Sequence, residues 1–173
     1  MQNVECKCSL NDPDLARLIV RKIGALRVGV VEQTDTYYKL AEGRLMRRET
    51  PNERTGYIHY HRIDRVVPKL SHYLIYTEQQ AAARFGTRSL VPWVTVSKSR
   101  EIWLYRNAHV HIDEVEALGA YLEIEALVTP TNHVGHAHRL IGEIRTKLQP
   151  ALGELISTSY ADLVALDLES AAS

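Results

Sequence analysis

The chain has 173 residues, of which 45% are hydrophobic, enough for one domain with a substantial buried core. Lysine plus arginine and aspartate plus glutamate number 21 each, so the sequence lacks the overall basic charge of a protein that binds nucleic acid nonspecifically. The absence of a charged leader and of any run of about 18 apolar residues predicts a cytoplasmic protein, in which Cys6 and Cys8 are buried thiols.

The chain opens with a predicted strand followed by a predicted amphipathic helix. Residues Asn3–Ser9 have the alternating pattern of a strand. Asn11-Asp12-Pro13-Asp14 is typical of a helix start, because it offers a capping side chain and a proline in the first turn. Apolar residues then recur at helical spacing up to Gly24, namely Leu15, Leu18, Ile19 and Ile23.

Strands dominate the rest of the sequence, separated by short polar turns. The predicted strands are Val28–Leu40, Arg44–Glu49, Tyr57–Arg62, Lys69–Tyr76, Val91–Lys98, Glu101–Arg106, His109–Val115 and Ala120–Val128. Helices are predicted at Thr77–Phe85 and Gly135–Leu148, and Leu152–Leu166 is predicted to be helical in two pieces. We expect an α+β fold in one domain over residues 1–173.

Most of these strands carry charged side chains on one face and aliphatic side chains on the other. Because strand side chains alternate between faces, Glu123 and Glu125 project together while Leu122 and Ile124 pack the opposite way. The same alternation groups Glu5 with Lys7, Arg44 with Met46 and Arg48, Tyr60 with Arg62, Lys69 with Ser71 and Tyr73, Lys98 with Arg100, and His109 with His111 and Asp113. Neighbouring carboxylates repel each other unless a cation lies between them or open water surrounds them.

The alternation leaves two arrangements open. The charged faces form either the outside of an open sheet or the inside of a closed barrel, because amphipathic helices can cover the aliphatic faces in both cases. A charged strand face is most often a solvated one. A barrel of about eight strands, however, has room inside for side chains or one small ligand. Residue spacing alone does not choose between them.

Short motifs follow one another in a specific order along nearly the whole chain. They are Asn3-Val-Glu5-Cys-Lys7, Gln33-Thr-Asp-Thr-Tyr-Tyr38, Gly43-Arg-Leu-Met-Arg-Arg48, Tyr60-His-Arg62, Pro68-Lys-Leu-Ser71, Lys98-Ser-Arg-Glu101, His109-Val-His-Ile-Asp-Glu-Val115, Leu118-Gly-Ala-Tyr-Leu-Glu-Ile-Glu125 and Ser159-Tyr-Ala-Asp-Leu163. Together they resemble the CYTH superfamily, whose members open with Glu-x-Glu-x-Lys and include class IV adenylyl cyclases, thiamine triphosphatases and inorganic triphosphatases. The last three motifs are most similar to the class IV cyclase-like branch.

The resemblance implies a triphosphate tunnel, which is a closed antiparallel β-barrel with helices outside and a charged interior that binds a polyphosphate with Mg²⁺ or Mn²⁺. The phosphate contacts that it implies are Lys7, Arg44, Arg48, Arg62, Lys69, Lys98, Arg100 and His111. The metal ligands that it implies are Glu5, Asp113, Glu123 and Glu125. The catalytic residues that the resemblance implies are Lys7, Arg48, Lys98, Arg100 and Asp113.

The implied partner is a small-molecule triphosphate, which could be a nucleoside, thiamine or inorganic triphosphate. No nucleic acid or membrane partner is expected, and the resemblance leaves open whether the chain forms a homodimer. Attack by a ribose 3′-hydroxyl would convert ATP to cyclic AMP and pyrophosphate, as in an adenylyl cyclase, whereas attack by water would make the chain a triphosphatase. Three departures from the motifs keep a third alternative, a catalytically weak polyphosphate- or nucleotide-binding protein. Asn3 replaces a glutamate, Met46 a lysine and His109 an arginine.

Overall fold

A computed structural model describes residues 1–61 and 68–171. The strands are Gln2–Leu10 (β1), Leu26–Lys39 (β2), Arg44–Glu49 (β3), Gly56–His61 (β4), Lys69–Thr77 (β5), Val94–Tyr105 (β6), Ala108–Val115 (β7), Gly119–Leu127 (β8) and Leu152–Ile156 (β9). The α-helices are Pro13–Lys22 (α1), Glu78–Phe85 (α2), Val134–Leu148 (α3) and Tyr160–Ala171 (α4). None of these helices is long and apolar enough to cross a membrane.

The sheet closes on itself. Its strands follow the order β5-β4-β3-β2-β6-β7-β8-β1 with antiparallel neighbours, and β1 also pairs with β5. The register places Glu5 opposite Lys69 on one side of β1 and opposite Glu125 on the other side. The expectation of an α+β fold with a closed antiparallel ring of strands is therefore confirmed.

The aliphatic faces of β1, β6, β7 and β8 point outward and pack against helices α1 and α3. The core between ring and helices includes Val4, Cys6, Cys8, Val110, Ile112, Leu122 and Ile124 from the strands and Ala16, Val20, Ile141 and Ile144 from the helices. Both cysteines are buried thiols, as expected. Because strand side chains alternate, burying these residues outside the ring turns the charged faces toward its interior.

Helix α1 begins where the sequence predicts. The side chain of Asp12 accepts a hydrogen bond of 2.9 Å from the backbone N–H of Leu15, which caps the helix. Arg17 of α1 and Arg27 of β2 both pair with Glu101 on the outer face of β6, at 2.8 and 2.9 Å. Glu101 therefore joins helix to sheet and does not contribute to the charged interior.

Two segments differ from the sequence-based prediction. Val91–Lys98 and Glu101–Arg106 are predicted as separate strands, whereas β6 continues from Val94 to Tyr105, because its polar middle keeps the strand alternation and pairs with β2 throughout. Leu152–Ile156 is predicted to be helical but forms β9, which pairs with the second half of β1, beyond the part that β5 occupies. The unpaired strand edge overrides the weak helical pattern of so short a segment.

Candidate active site

The inward strand faces line a cavity of about 470 Å³. Its walls carry charges of both signs, on Glu5, Lys7, Asp35, Arg48, Glu53, Arg54, Lys98, Arg100, Glu123 and Glu125. Several of these side chains are almost fully enclosed: Lys98 is 4% exposed, Arg100 6% and Glu123 8%. Buried charges at this density require compensation by opposite charges or by a ligand.

The two ends of the cavity differ. At one end, Tyr160 of α4 joins a buried cluster of inward-facing residues that includes Tyr37, Val94, Val115 and Tyr121. Arg44 at the start of β3 fixes the helix there through an ion pair of 2.6 Å with Asp162. At the other end, the lining includes the connection between β3 and β4, residues 50–55, whose side chains are largely exposed. The β3–β4 end is therefore the more exposed end of the cavity, and Tyr160 lies at the more buried end.

Asp35 orients two of the cations. Its carboxylate accepts bonds of 2.7 and 2.8 Å from Arg48 and a further bond from the ammonium group of Lys98. Burial raises the pKa of Asp35, but the hydrogen bond from Arg48 and the charge of Lys98 outweigh burial and lower it to about 2. Burial lowers the pKa of Lys98 to about 8, although the negative charge of Asp35 raises it. The carboxylate therefore stays ionised and holds both cations in place at neutral pH.

Asp113 holds a third cation in the same way. Arg100 donates from Nε and Nη2 to the two oxygens of Asp113 at 2.8 and 2.6 Å. The hydroxyl group of Tyr160 donates to Asp113 at 2.7 Å, and Arg100 also donates to Glu123 at 2.5 Å. Burial lowers the pKa of Arg100, but the charges of Asp113 and Glu123 outweigh it, so the guanidinium stays charged.

Among the residues that the structure describes, Glu123, Glu125 and His111 form a cluster that could hold a metal ion. One imidazole nitrogen and one oxygen from each carboxylate lie within 4.8 Å of one another. Burial raises the pKa of Glu125 most, and repulsion from the charge of Glu123 raises it further, to about 7. The charge of Glu5 acts in the same direction. Burial lowers the pKa of His111 and the charge of Arg100 lowers it further, which keeps its imidazole neutral. The arrangement therefore offers a cation several oxygens and one nitrogen.

Lys7 and Lys69 lie on the paired strands β1 and β5. The ammonium nitrogen of Lys7 is 3.7 Å from an oxygen of Glu123 and 3.6 Å from the ring centre of Tyr160. Lys69 donates from Nζ to the backbone carbonyl of Ser157 at 2.6 Å. With exposures of 7% and 9%, both side chains are held within the wall of the ring.

Several predicted site residues make contacts that the sequence analysis did not anticipate. Arg44 lies at the α4 end, where it binds the helix and does not line the cavity. Asp113 has both carboxylate oxygens engaged, so it positions Arg100. His111 belongs to the acidic cluster and not to the cationic set. Arg62 lies outside the described residues.

The sequence analysis gives no role in the site to two residues that line the cavity, although both lie within its motifs. Asp35 is 0% exposed and Tyr160 is 3% exposed, and both line the cavity. Asp35 stands between Thr34 and Thr36, so polar residues occupy both faces of that strand and the alternation gives no signal. Tyr160 comes from the helix that follows β9 and is brought to the cavity only by tertiary packing.

Comparison with known proteins agrees with this geometry. The family model of the CYTH domain matches residues 1–160, whereas no curated protein sequence matches the chain. The PH1012 protein of Pyrococcus horikoshii OT3 is similar, with a TM-score of 0.74 and 19% identity over 93% of this chain and 98% of that one. So is a "putative adenylate cyclase" from Vibrio parahaemolyticus, with a TM-score of 0.67 and 15% identity over 94% and 97% of the two chains.

A more distant similarity is to the RNA triphosphatase Pct1 of Schizosaccharomyces pombe. The TM-score is 0.56, with 8% identity over 84% of this chain and 85% of that one. At such identities the structural similarity shows the fold alone, whereas the family model covers most of the sequence. The chain belongs to the CYTH domain family.

Proposed function

We propose that the chain is a divalent-metal-dependent phosphoryl-transfer enzyme that acts on a small triphosphate-bearing substrate. The observation that carries this proposal is that buried cations and a repulsive carboxylate cluster share one cavity. Besides the exposed Arg54, the cations that line it together with Glu123 and Glu125 are Lys7, Arg48, Lys98 and Arg100. A polyanion with a bound dication satisfies both sets of charges, whereas a neutral ligand satisfies neither.

The arginines are oriented before any phosphate arrives. Asp35 engages Nε and Nη2 of Arg48, and Asp113 engages the same two nitrogens of Arg100. In the described residues this leaves the Nη1 group of each guanidinium for a phosphate oxygen. Donors that are held in place need no reorganisation as charge develops on the phosphoryl group, which favours the transition state.

The carboxylates fit a hard dication. The Glu123 and Glu125 oxygens are close together, and Glu5 lies opposite Glu125 in the strand register. Burial, and after it the charge of Glu123, raises the pKa of Glu125. Oxygen ligands of this kind suit Mg²⁺ or Mn²⁺. Such an ion supplies charge stabilisation at the phosphoryl group.

The attacking oxygen decides the reaction. Water gives hydrolysis of the triphosphate, and a ribose 3′-hydroxyl gives cyclic AMP and pyrophosphate from ATP. The group attached to the triphosphate would lie toward the more exposed end, where Glu53, Arg54, Tyr73 and Ile75 line the cavity. Similarity to a "putative adenylate cyclase" and to an RNA triphosphatase supports both reactions.

Calorimetric titration with tripolyphosphate, with and without Mn²⁺, tests the binding half of this proposal. We expect a dissociation constant on the order of micromolar that tightens with Mn²⁺. Phosphate release and cyclic AMP formation then test the catalytic half. Glu123→Gln should abolish metal-dependent turnover while the protein stays folded, and Glu114→Gln, at an exposed position of β7, is the matched control. Unchanged turnover in Glu123→Gln would refute the proposal that this site catalyses a metal-dependent reaction.

A non-catalytic triphosphate-binding protein is the second candidate. Asn3 favours it, because this neutral side chain lies beside Glu125, with Nδ2 at 3.3 Å from the carboxylate, where a second metal would need another charged ligand. Tight tripolyphosphate binding without turnover of ATP, thiamine triphosphate or tripolyphosphate would select this candidate. No binding at all would contradict both.

A further inference from the structure

One nitrogen ligand stands among the carboxylates of the acidic cluster. His111 is 6% exposed and lies directly opposite Glu123 in the β7–β8 register. Its ligating nitrogen is within 4.8 Å of oxygens from both Glu123 and Glu125. The neighbouring His109 points to the same face but is exposed, and its ring stacks on that of His111 at 5.9 Å.

Two buried polar atoms beside these carboxylates lack hydrogen-bond partners. Among the described residues, neither Nδ1 of His111 nor Oδ1 of Asn3 has a partner, although Asn3 is only 5% exposed. Leaving such an atom unsatisfied is unfavourable, and an ion at the site is one of the recognised explanations. Asn3 also donates from Nδ2 to Glu125, so its side chain adjoins the same carboxylates.

We propose that this cluster is a mixed nitrogen and oxygen site, in which His111 and Asn3 join Glu123 and Glu125, and that it selects a first-row transition dication over Mg²⁺. The inference rests on the metal site of the proposed function and names the class of ion that the site takes. Mg²⁺ prefers an all-oxygen octahedral shell, whereas imidazole suits transition metals. Because the amide of Asn3 is neutral, the site also carries less negative charge than a hard ion such as Mg²⁺ would require.

Neighbouring cations set a limit on the affinity for the ion. Arg100 lies 2.5 Å and Lys7 3.7 Å from Glu123 oxygens, and both repel a dication. A partly covalent nitrogen bond offsets such repulsion better than a purely electrostatic oxygen contact, which again favours a transition metal. A triphosphate would draw these two cations toward its own oxygens.

The test uses the full chain with metal alone. Calorimetry should show Mn²⁺ binding at least about tenfold more tightly than Mg²⁺. Electron spin echo spectroscopy of bound Mn²⁺ should show modulation from a directly coordinated nitrogen. That modulation should be lost in His111→Gln and kept in His109→Gln, the matched control on the same strand face. Asn3→Asp should raise the affinity for Mg²⁺ more than that for Mn²⁺, which tests selectivity without touching the histidine.

Contrary outcomes separate this inference from the proposed function. Equal affinity for the two ions, no nitrogen modulation in the unaltered chain, or loss of modulation in His109→Gln overturns the mixed-ligand site. If tripolyphosphate binding still depends on a dication in that case, the proposed function stands. If neither ion binds and neither affects tripolyphosphate binding, both fail.

Discussion

Replacing Glu125 by glutamine should make the metal-free protein more stable. Glu125 is partly buried beside Glu123, and burial followed by that charge raises its pKa from 4.5 to about 7. The folded protein therefore binds more protons than the unfolded chain between pH 4.5 and 7, and its stability falls as the pH rises through this window. Above pH 7 the carboxylate is ionised and its full destabilisation is present.

The pKa shift sets the size of the effect. A rise from 4.5 to about 7 corresponds to about 3 kcal/mol, an upper limit because the side chain is only partly enclosed. Glutamine keeps the shape and can still accept the hydrogen bond from Asn3. At pH 8 the variant should therefore unfold up to about 10 °C above the unaltered protein. At pH 5 the difference should shrink to about 1 kcal/mol.

Thermal unfolding followed by circular dichroism at pH 5 and pH 8, in the presence of a chelator, measures both values. Glu114→Gln, at an exposed position of β7, is the control and should change neither. Adding Mn²⁺ should raise the unfolding temperature of the unaltered protein much more than that of Glu125→Gln. A variant that is less stable at pH 8, or a gain that does not depend on pH, would refute the reasoning.

Three further variants test other contacts of the cavity. Lys69→Ala should weaken tripolyphosphate binding about tenfold in calorimetry, because one charged contact is lost, and should leave Mn²⁺ binding unchanged; equal losses would contradict this role. Asp35→Asn should lower the free energy of unfolding in urea by about 3 kcal/mol at pH 7, because the buried Lys98 and the half-buried Arg48 lose their counter-charge. Since the pKa of Asp35 is lowered from 3.8 to about 2, the part of this stabilisation that depends on its ionisation, about 2 kcal/mol, should be present above pH 4 and lost as the pH falls through 2. Tyr160→Phe should cost only about 1 kcal/mol in the same urea assay, since Arg100 still pairs with Asp113; a much larger loss would assign the hydroxyl group a greater structural role.

Strand alternation predicted most of the charged interior. It placed Glu123 with Glu125 and Lys98 with Arg100 on common faces, and the structure turns these faces inward. It could not decide between inside and outside, because apolar faces need cover in either arrangement and only the pairing of β1 with β5 closes the ring. The family resemblance supplied that choice.

The remaining errors have local physical causes. The prediction of a helix at Leu152–Ile156 was wrong because a five-residue segment takes the conformation that an unpaired edge of β1 offers. Asp35 was assigned no role in the site, because the threonines on either side leave polar residues on both faces of the strand. The ion pair between Arg44 and Asp162 joins residues far apart in the sequence, so no local pattern signals it.

A crystal structure with Mn²⁺ and tripolyphosphate tests the central claim most directly. The account predicts an anomalous manganese peak between His111, Glu123 and Glu125, with phosphate oxygens on Arg48 and Arg100 inside the ring. Manganese found only outside the ring, or an interior that takes up no phosphate, would contradict it.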